Sequence, residues 1–240
     1  MNPYVVIDIG GTSIKYGLAD AKGQLLETHE MPTEAQKGGP HILKTTKEIV
    51  ARYLKKHALA GVAISSAGMV DPDKGEIFYA GPQIPNYAGT QFKKEIEETF
   101  QIPCEIENDV NCAGLAEVTT GHAKGSNHAV CLTIGTGIGG CLLLDGQVFH
   151  GFSNSACEVG YLHLPDGAFQ DLASTTALVE YVAEHHGDPA EQWNGRRIFK
   201  QATEGDKICM AGIDRMVTYL GKGLANICLL YTSPSPRDTR

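Results

Sequence analysis

The residues Asp8-Ile9-Gly10-Gly11-Thr12 combine a carboxylate, two glycines and a hydroxyl in one short turn. This combination suits a polyphosphate with its magnesium ion, because the glycines remove side-chain bulk, Thr12 offers a hydroxyl and Asp8 a metal ligand. No Lys follows Gly11, and a strand pattern follows the turn, which excludes a Walker loop and a dinucleotide fingerprint. Many glycine turns of this kind are only hairpin turns, so the turn alone does not decide the matter.

The chain carries a second copy of this turn. Residues 5–20 (VVIDIGGTSIKYGLAD) align without a gap with residues 130–145 (VCLTIGTGIGGCLLLD). Two glycine hairpins of equal length predict two similar half-molecules whose turns face each other across a cleft and bind one nucleotide. Chance similarity of two apolar hairpins is the alternative. The identical pairs are Val5/Val130, Ile9/Ile134, Gly10/Gly135, Leu18/Leu143 and Asp20/Asp145.

A third group that could do chemistry is Glu107-Asn108-Asp109, at the end of a short predicted strand over residues 104–107. In α/β sheets, polar groups at the carboxyl edge of the strands are commonly functional. Asp109 is therefore our candidate general base. Asn and Asp are also common caps at a helix start, and a helix is predicted from here to about residue 120, so a purely structural role stays open.

Two further segments carry candidate ligands. A long loop over residues 71–90 contains Gln83, Asn86 and Tyr87, and amides with an aromatic ring suit sugar recognition, although a solvated connection explains the composition equally well. Glu158 and His163 lie in an apolar, strand-like segment over residues 157–163. A lone His in such a segment is more often structural than a ligand.

The bulk composition limits the class of protein. With 240 residues, 42% of them hydrophobic, the chain is long enough for one large or two small domains. A net charge of −8 disfavours nucleic acid as the main ligand. No leader-like segment and no apolar run of membrane length indicates export or membrane insertion. Seven scattered cysteines without a C-x-x-C spacing predict reduced thiols of a cytoplasmic protein and disfavour a cysteine zinc site.

The elements that must position these residues follow from the hydrophobic pattern. Besides the two hairpins, it predicts strands over residues 24–31 and 59–65 and helices over 42–56, 91–100, 175–185 and 206–230. Gly221 and Gly223 in the last helix indicate close packing or backbone access for a substrate. Residues 231–240 switch abruptly to Pro, Ser and Arg. We exclude them from fold reasoning because they resemble a translated sequencing adaptor; a disordered tail is the alternative.

With the two hairpins, the Glu-Asn-Asp segment and Glu158-Val159-Gly160 in hand, residues 5–230 resemble the ROK family of sugar kinases and repressors. The resemblance implies an α/β, actin-like ATPase (ribonuclease H-like) fold with two α/β domains around a cleft. We expect the first domain over residues 1–115 and the second over 116–230. The second should be incomplete, because the family continues past Leu230 with a strand, a glycine-rich turn and closing helices.

The resemblance also implies a function, namely transfer of the ATP γ-phosphoryl group to O6 of a hexose or hexose derivative. Asp109 would be the catalytic base and Asp8 the Mg²⁺ ligand. The residues implied to bind substrate are Ala67, Gly68, Gln83, Asn86, Asn108, Glu158 and Gln170. Those implied to bind the ATP phosphates are Asp8, Gly10, Gly11, Thr12, Thr133, Gly135, Thr136, Gly137 and Gly139.

Departures from the family pattern sharpen this expectation. Tyr161 replaces the family's usual His, and residues 167–171 replace its cysteine-rich segment, so no zinc site is expected. Residues 153–178 are most similar to the zinc-free branch of glucokinases, β-glucoside kinases and N-acetylmannosamine kinases. A sugar-responsive repressor is disfavoured because only three residues precede Tyr4, and a non-catalytic sugar-binding protein stays an alternative. The family likeness implies a homodimer for the full-length protein and leaves the choice of sugar open.

Overall fold

The computed structural model describes residues 2–231. Of the tail predicted at 231–240, Tyr231 is the last residue of a helix and residues 232–240 lie outside the described residues. The described residues form two compact units. The first unit comprises the chain up to residue 125 together with residues 150–155. The second unit comprises residues 126–149 and, within the described residues, 156–231. Within residues 2–231, no helix is both long and apolar enough to cross a membrane.

The first unit is built on a five-stranded sheet in the order β3-β2-β1-β4-β7. The pairs β1–β2 and β2–β3 are antiparallel, whereas β1–β4 and β4–β7 are parallel. The elements are β1 (Tyr4–Ile9), β2 (Ser13–Ala19), β3 (Leu25–Pro32), α1 (Gly39–Leu54), β4 (Gly61–Ser66), β5 (Met69–Asp71), β6 (Glu76–Tyr79), α2 (Phe92–Phe100), β7 (Cys104–Asn108) and α3 (Asp109–Thr119), with a 3₁₀ turn at Ala35–Lys37.

Alternating burial explains the first unit. Val5, Ile7 and Ile9 of β1 are at most 2% exposed and belong to one apolar core. Ile49 of α1 and Phe92 of α2 belong to the same core, so both helices pack on this face of the sheet. The predicted first hairpin, third strand and these two helices are thus confirmed, with ends that differ by a few residues.

Two predictions for the first unit need correction. Residues 71–90 are not one loop, because β5 and β6 form a short antiparallel hairpin around the buried Val70 and Ile77. Runs this short are too brief to reveal a period of two against the surrounding Gly and charged residues. The predicted domain boundary at 115/116 falls inside α3, a continuous helix that stays with the first unit.

The second unit contains a three-stranded antiparallel sheet in the order β10-β9-β8, flanked by helices. Its two apolar clusters centre on Phe169 and Ile227 and on Val182, Ile198 and Cys209. The elements are β8 (His128–Ile134), β9 (Ile138–Leu144), β10 (Gln147–Val148), β11 (His163–Leu164), β12 (Gly167–Ala168), α4 (Phe169–Ala173), α5 (Thr175–His186), α6 (Gly195–Thr203) and α7 (Lys207–Tyr231), with 3₁₀ turns at Val159–Tyr161 and Ala190–Gln192.

The second unit corrects the sequence reading in two places. The segment 157–163 is not one strand: its centre, Val159–Tyr161, is a 3₁₀ turn, and only His163 belongs to a strand, the two-residue β11. A Cβ on Gly160 would lie 2.3 Å from the Ile138 carbonyl oxygen. The polar segment before the last helix contains α6, whose single buried residue is Ile198. In α7, Gly223 permits close contact with the Phe169 ring, as predicted, whereas a Cβ on Gly221 would meet nothing within 4 Å.

Candidate functional site

The carboxyl ends of three parallel strands bring the first group of predicted residues together. Asp8 on β1 is in register with Ser65 on β4, which is in register with Glu107 on β7. One residue further along, Ser66 on β4 pairs with Asn108 on β7. The polar groups that the sequence placed at separate strand ends therefore share one edge of one sheet, the usual position of a binding site in such sheets.

Hydrogen bonds fix this edge. The Ser65 hydroxyl donates to Asp8 Oδ1 over 2.8 Å, and the Ala67 amide donates to the Ile9 carbonyl oxygen over 3.0 Å. Asn108 Nδ2 donates to the Gly68 carbonyl oxygen over 2.9 Å. Gly68 has φ +93°, and a Cβ there would lie 3.0 Å from the Tyr79 carbonyl oxygen, so this turn requires glycine.

Asn108 also caps α3, since its Oδ1 accepts hydrogen bonds from the Val110 and Asn111 amides over 2.9 and 3.2 Å. The structural alternative weighed for this residue is therefore present in the molecule. The same side chain ties the helix start to the 67–68 turn through its Nδ2. One amide thus holds the candidate base and the candidate sugar turn in a fixed relation.

Asp109 is the first residue of α3 and is exposed at its surface. Partial desolvation by neighbouring protein atoms raises the pKa of its carboxyl group. The Val110 amide, which donates to Asp109 Oδ1 over 2.9 Å, lowers this pKa, while the negative charge of Asp8 raises it again. A carboxylate whose pKa is raised binds a proton more readily, which is the property that a general base needs.

Several contacts of this group, and one further residue, His150, escaped the sequence analysis. Glu107 Oε2 lies 2.6 Å from His150 Nε2, and Glu107 Oε1 accepts hydrogen bonds from the Asn108 amide and Asn111 Nδ2. No local pattern links His150 to a residue 43 positions earlier. The pair Ser65-Ser66 directly precedes the Ala67-Gly68 turn at the end of a predicted strand. Hydroxyl groups at this position indicate a binding site, and we did not use this signal.

The loop residues proposed for sugar recognition behave differently from one another. Tyr87 is 1% exposed, and its hydroxyl lies within hydrogen-bond distance, 2.6 Å, of Ser66 Oγ. It is therefore a buried residue that holds the end of β4 in place. Asn86 is exposed and lines a separate depression of about 270 Å³ with Pro40 and Glu95. The role of Asn86 in sugar binding stays a prediction. The exposed Gln83 lies against Gly81, and its role stays a prediction.

Both glycine turns form, and each is held by a threonine. In the first, the Gly10 amide donates to the Ser13 carbonyl oxygen, and Thr33 Oγ1 donates to the Gly10 carbonyl oxygen over 2.6 Å. In the second, the Gly135 amide donates to the Gly137 carbonyl oxygen, and the Thr175 amide donates to the Gly135 carbonyl oxygen, both over 2.9 Å. Gly10 and Gly135 are aligned positions of the sequence repeat, so equivalent carbonyl groups are held in both turns.

Neither Gly11 nor Gly135 needs to be glycine for the fold. Both have ordinary backbone angles outside the left-handed region, and a Cβ on either would meet nothing within 4 Å. Open space beside a turn lets a ligand approach the backbone amides closely, and this is a condition for binding phosphate oxygens. The two turns therefore fit the phosphate role that the sequence predicted for them. Thr12 and Thr136 are neighbours of these glycines in the two turns.

The remaining candidate residues of the second unit surround its glycine turn. Thr133 and Gly139 are paired across β8 and β9, next to the turn. Cβ atoms on Gly137 and Gly160 would lie 3.0 and 2.9 Å from Gln170 Oε1, so Gln170 lies against the turn itself. Glu158 precedes the 3₁₀ turn and lines a cavity of about 910 Å³ whose other walls are mainly apolar, including Val130, Leu142, Leu162 and Ile227.

Comparison with known proteins identifies sugar kinases among the relatives. The chain is 47% identical to uncharacterized protein CPE0188 of Clostridium perfringens over 230 residues, covering 96% of this chain and 78% of that protein. It is 32% identical to a beta-glucoside kinase of Klebsiella pneumoniae over 233 residues, covering 93% of this chain and 76% of the kinase.

A solved structure identifies the fold. The ROK family glucokinase from Streptomyces griseus, in complex with glucose and AMPPNP, superposes with a TM-score of 0.81 at 26% identity, covering 96% of this chain and 80% of that one. The chain therefore has the actin-like ATPase fold, as predicted. The sequence profile of the ROK family matches residues 4–235, which is nearly the whole chain. This protein belongs to the ROK family.

Proposed function

We propose that this chain transfers the γ-phosphoryl group of ATP to the O6 hydroxyl of a hexose or hexose derivative. The observation that carries the proposal is the group at the sheet edge of the first unit. There, Asp109 has a raised pKa and Asn108 joins it to the Gly68 turn, while Asp8 offers a carboxylate at the same edge. The kinases among its relatives support the same reaction class.

In this reaction the Asp109 carboxylate accepts the proton of the O6 hydroxyl. The O6 oxygen forms a bond to the γ-phosphorus as the bond from that phosphorus to the ADP oxygen breaks. Asn108 and the Ala67-Gly68 turn orient the sugar so that O6 lies in line with the phosphorus, and such positioning supplies much of the catalysis in phosphoryl transfer.

Asp8 is the proposed ligand of Mg²⁺. The donor set fits this ion, because Mg²⁺ prefers carboxylate oxygens and is commonly held by one or two of them together with substrate phosphates. The Ser65 hydroxyl, donating to Oδ1, fixes the orientation of the carboxylate. When bound, Mg²⁺ would neutralise charge on the phosphates.

The two glycine turns are the proposed phosphate contacts, supported by the open space beside Gly11 and Gly135. Backbone amides and threonine hydroxyls there can donate hydrogen bonds to phosphate oxygens without adding side-chain bulk. For the sugar hydroxyls we propose Glu158 and, since it lies against the second turn, Gln170. The proposed phosphate residues are Gly10, Gly11, Thr12, Thr133, Gly135, Thr136, Gly137 and Gly139.

The direct test is an ATP-consumption assay that follows ADP formation with glucose, N-acetylmannosamine and a β-glucoside as acceptors. We expect turnover with at least one of them. The matched control is the 6-deoxy form of the active sugar, which lacks only the accepting hydroxyl and should give none. Turnover with the 6-deoxy sugar would disprove transfer to O6. Sugar binding without turnover for any acceptor would instead favour a non-catalytic sugar-binding protein.

A further inference from the structure

We propose that His186, Asp206 and Cys209 form a binding site for one divalent transition-metal ion of the zinc type, in the second unit and apart from the residues assigned above. One ligand atom of each side chain lies within 4.8 Å of the other two. His186 ends α5, Asp206 directly precedes α7, and Cys209 lies in the first turn of α7.

The three donors have the chemistry that zinc prefers, with one nitrogen, one oxygen and one sulfur. Bonds of about 2.0–2.3 Å in a tetrahedral site place neighbouring ligand atoms roughly 3.3–3.7 Å apart. His186 Nε2 lies 3.2 Å from Asp206 Oδ2, close to that separation. The His186–Asp206 pair is therefore already at the separation that a shared metal ion requires, and the Cys209 sulfur, within 4.8 Å of both, would move closer on binding.

The His186 side chain has a buried ring nitrogen, Nε2, without a hydrogen bond among the described residues. Its contact with Asp206 therefore has a suitable distance but not a suitable direction. A buried polar atom without a hydrogen bond is costly, and a metal bond to the nitrogen lone pair would remove this cost.

The surroundings fix two of the ligands in advance. The His186 ring stacks on Trp193 with centroids 4.7 Å apart, and the Arg197 guanidinium lies 4.1 Å from the Trp193 ring centre. Asp206 Oδ1 accepts hydrogen bonds from the Ile208 and Cys209 amides, both over 2.9 Å, which leaves Oδ2 on the side of His186. Fixed ligands lower the ordering cost of metal binding.

Access and the sequence pattern are both compatible with this site. The His186 and Asp206 side chains are 24% and 19% exposed, so an ion can reach them and a water molecule can complete the tetrahedron. Cys209 is fully buried beside them. The cysteine spacing that disfavoured a zinc site concerned cysteine pairs, and a site with one Cys, one His and one Asp has no such spacing.

A simpler explanation is that Asp206 caps α7 and pairs with a protonated His186, while the buried Cys209 thiol only donates a hydrogen bond to Asp206. Cobalt(II) titration of the full chain, after removal of metals with a chelator, separates the two explanations. We expect one equivalent of Co²⁺ to produce a thiolate-to-cobalt charge-transfer band. Cys209→Ser should abolish this band. Cys228→Ser, which changes a cysteine elsewhere on α7, should keep it.

A second variant covers the case in which Cys209→Ser fails to fold. Asp206→Asn keeps the helix cap, because Asn caps as well as Asp, but replaces the carboxylate by a poor ligand. Loss of an outer partner already costs metal sites roughly 10- to 100-fold in affinity, so Zn²⁺ affinity by calorimetry should fall at least about tenfold. No band in the wild-type chain, a band retained in folded Cys209→Ser, or unchanged Zn²⁺ affinity in Asp206→Asn would overturn the proposal.

Discussion

The two glycine hairpins align without a gap, yet they differ in register. In the first, Ile9 pairs with Ile14, so residues 10–13 form the turn. In the second, Ile134 pairs with Ile138, so only residues 135–137 form it. A shift of one residue reverses which side chains face the core, and a sequence repeat therefore need not preserve strand register.

The surroundings of the hairpins differ as well. β1 is paired on both sides, by β2 and β4, whereas β8 has one partner, β9, among the described residues. Asp8 in the first hairpin aligns with Thr133 in the second, so only the first carries a carboxylate at this position. Under the proposed function, the two hairpins therefore have different roles, with the base and the metal ligand in the first unit and phosphate contacts in both.

The largest expected effect tests this difference. Asp109→Asn removes the proposed base but keeps an oxygen that can accept from the Val110 amide, so kcat should fall by about 10²- to 10⁴-fold. Sugar affinity, measured by calorimetry, should change little because Asn108 and the Gly68 turn remain. Near-normal turnover in the steady-state assay would show that Asp109 is not the general base, and the proposed difference between the two hairpins would be wrong.

Glycines that permit close packing occupy different positions in the two hairpins. A Cβ on Gly17 would lie 1.9 Å from the Glu27 carbonyl oxygen, so Gly17→Ala should lower the free energy of unfolding by about 1–3 kcal/mol. The aligned residue in the second hairpin is Leu142, and there Gly140 lies against the Cys157 backbone instead. Urea denaturation measures the loss. Gly11→Ala, whose Cβ meets nothing, is the matched control and should stay within about 0.5 kcal/mol.

The second turn should affect nucleotide binding rather than folding. Because a Cβ on Gly135 meets nothing within 4 Å, Gly135→Val should fold normally but fill the space proposed for a phosphate. We expect the KM for ATP to rise about tenfold, which corresponds to a loss of about 1.4 kcal/mol, with kcat less affected. An unchanged KM in a well-folded variant would contradict the phosphate role of this turn.

The threonines that hold the turns provide a finer comparison. Thr33 is 1% exposed and uses its hydroxyl to donate to Gly10, so Thr33→Val should cost about 1–2 kcal/mol of unfolding free energy. Thr175 uses its backbone amide to donate to Gly135, and Thr175→Val keeps that bond. Urea denaturation should therefore separate the two variants. Equal losses would mean that the Thr33 hydroxyl does not stabilise the first turn.

Much of the site's framework could be predicted from the sequence. The apolar runs over residues 4–7, 59–65 and 104–107 indicated the three strands, and the sheet-edge rule marked Asn108 and Asp109 as candidates. That Asp8 and Ser65 lie at the same edge is seen in the strand pairing of the structure. The cap chemistry of Asn108 and Asp109 likewise located the start of α3. These features depend on local patterns, which a sequence displays directly.

Features that depend on distant contacts could not be predicted. The contact of His150 with Glu107 joins residues 43 positions apart, and no local sequence pattern predicts that these two residues meet. The register difference between the hairpins arises because Ser13 lies outside the pairing with β1, whereas the aligned Ile138 pairs with Ile134. Intrinsic turn and strand propensities do not predict this difference.

The smallest expected effect concerns the charge that distinguishes the hairpins. Desolvation is the main cause of the raised pKa of Asp109, and the charge of Asp8 adds to it. In the unliganded chain, Asp8→Asn should therefore lower the pKa of Asp109, because a neighbouring negative charge is removed. Carboxyl ¹³C NMR titration measures this shift directly, without requiring activity.

The direction of the shift fixes the pH dependence. Since Asp109 must be ionised to accept a proton, kcat/KM of the wild-type chain should fall as the pH drops through this raised pKa. The same rise means that ionisation of Asp109 opposes folding, so its contribution to stability, present at low pH, is lost as the pH rises through the folded-state value. An Asp109 pKa insensitive to Asp8→Asn would show that the carboxylate of the first hairpin does not influence the proposed base. An Asp109 pKa at or below that of ordinary Asp would contradict the expected pH dependence.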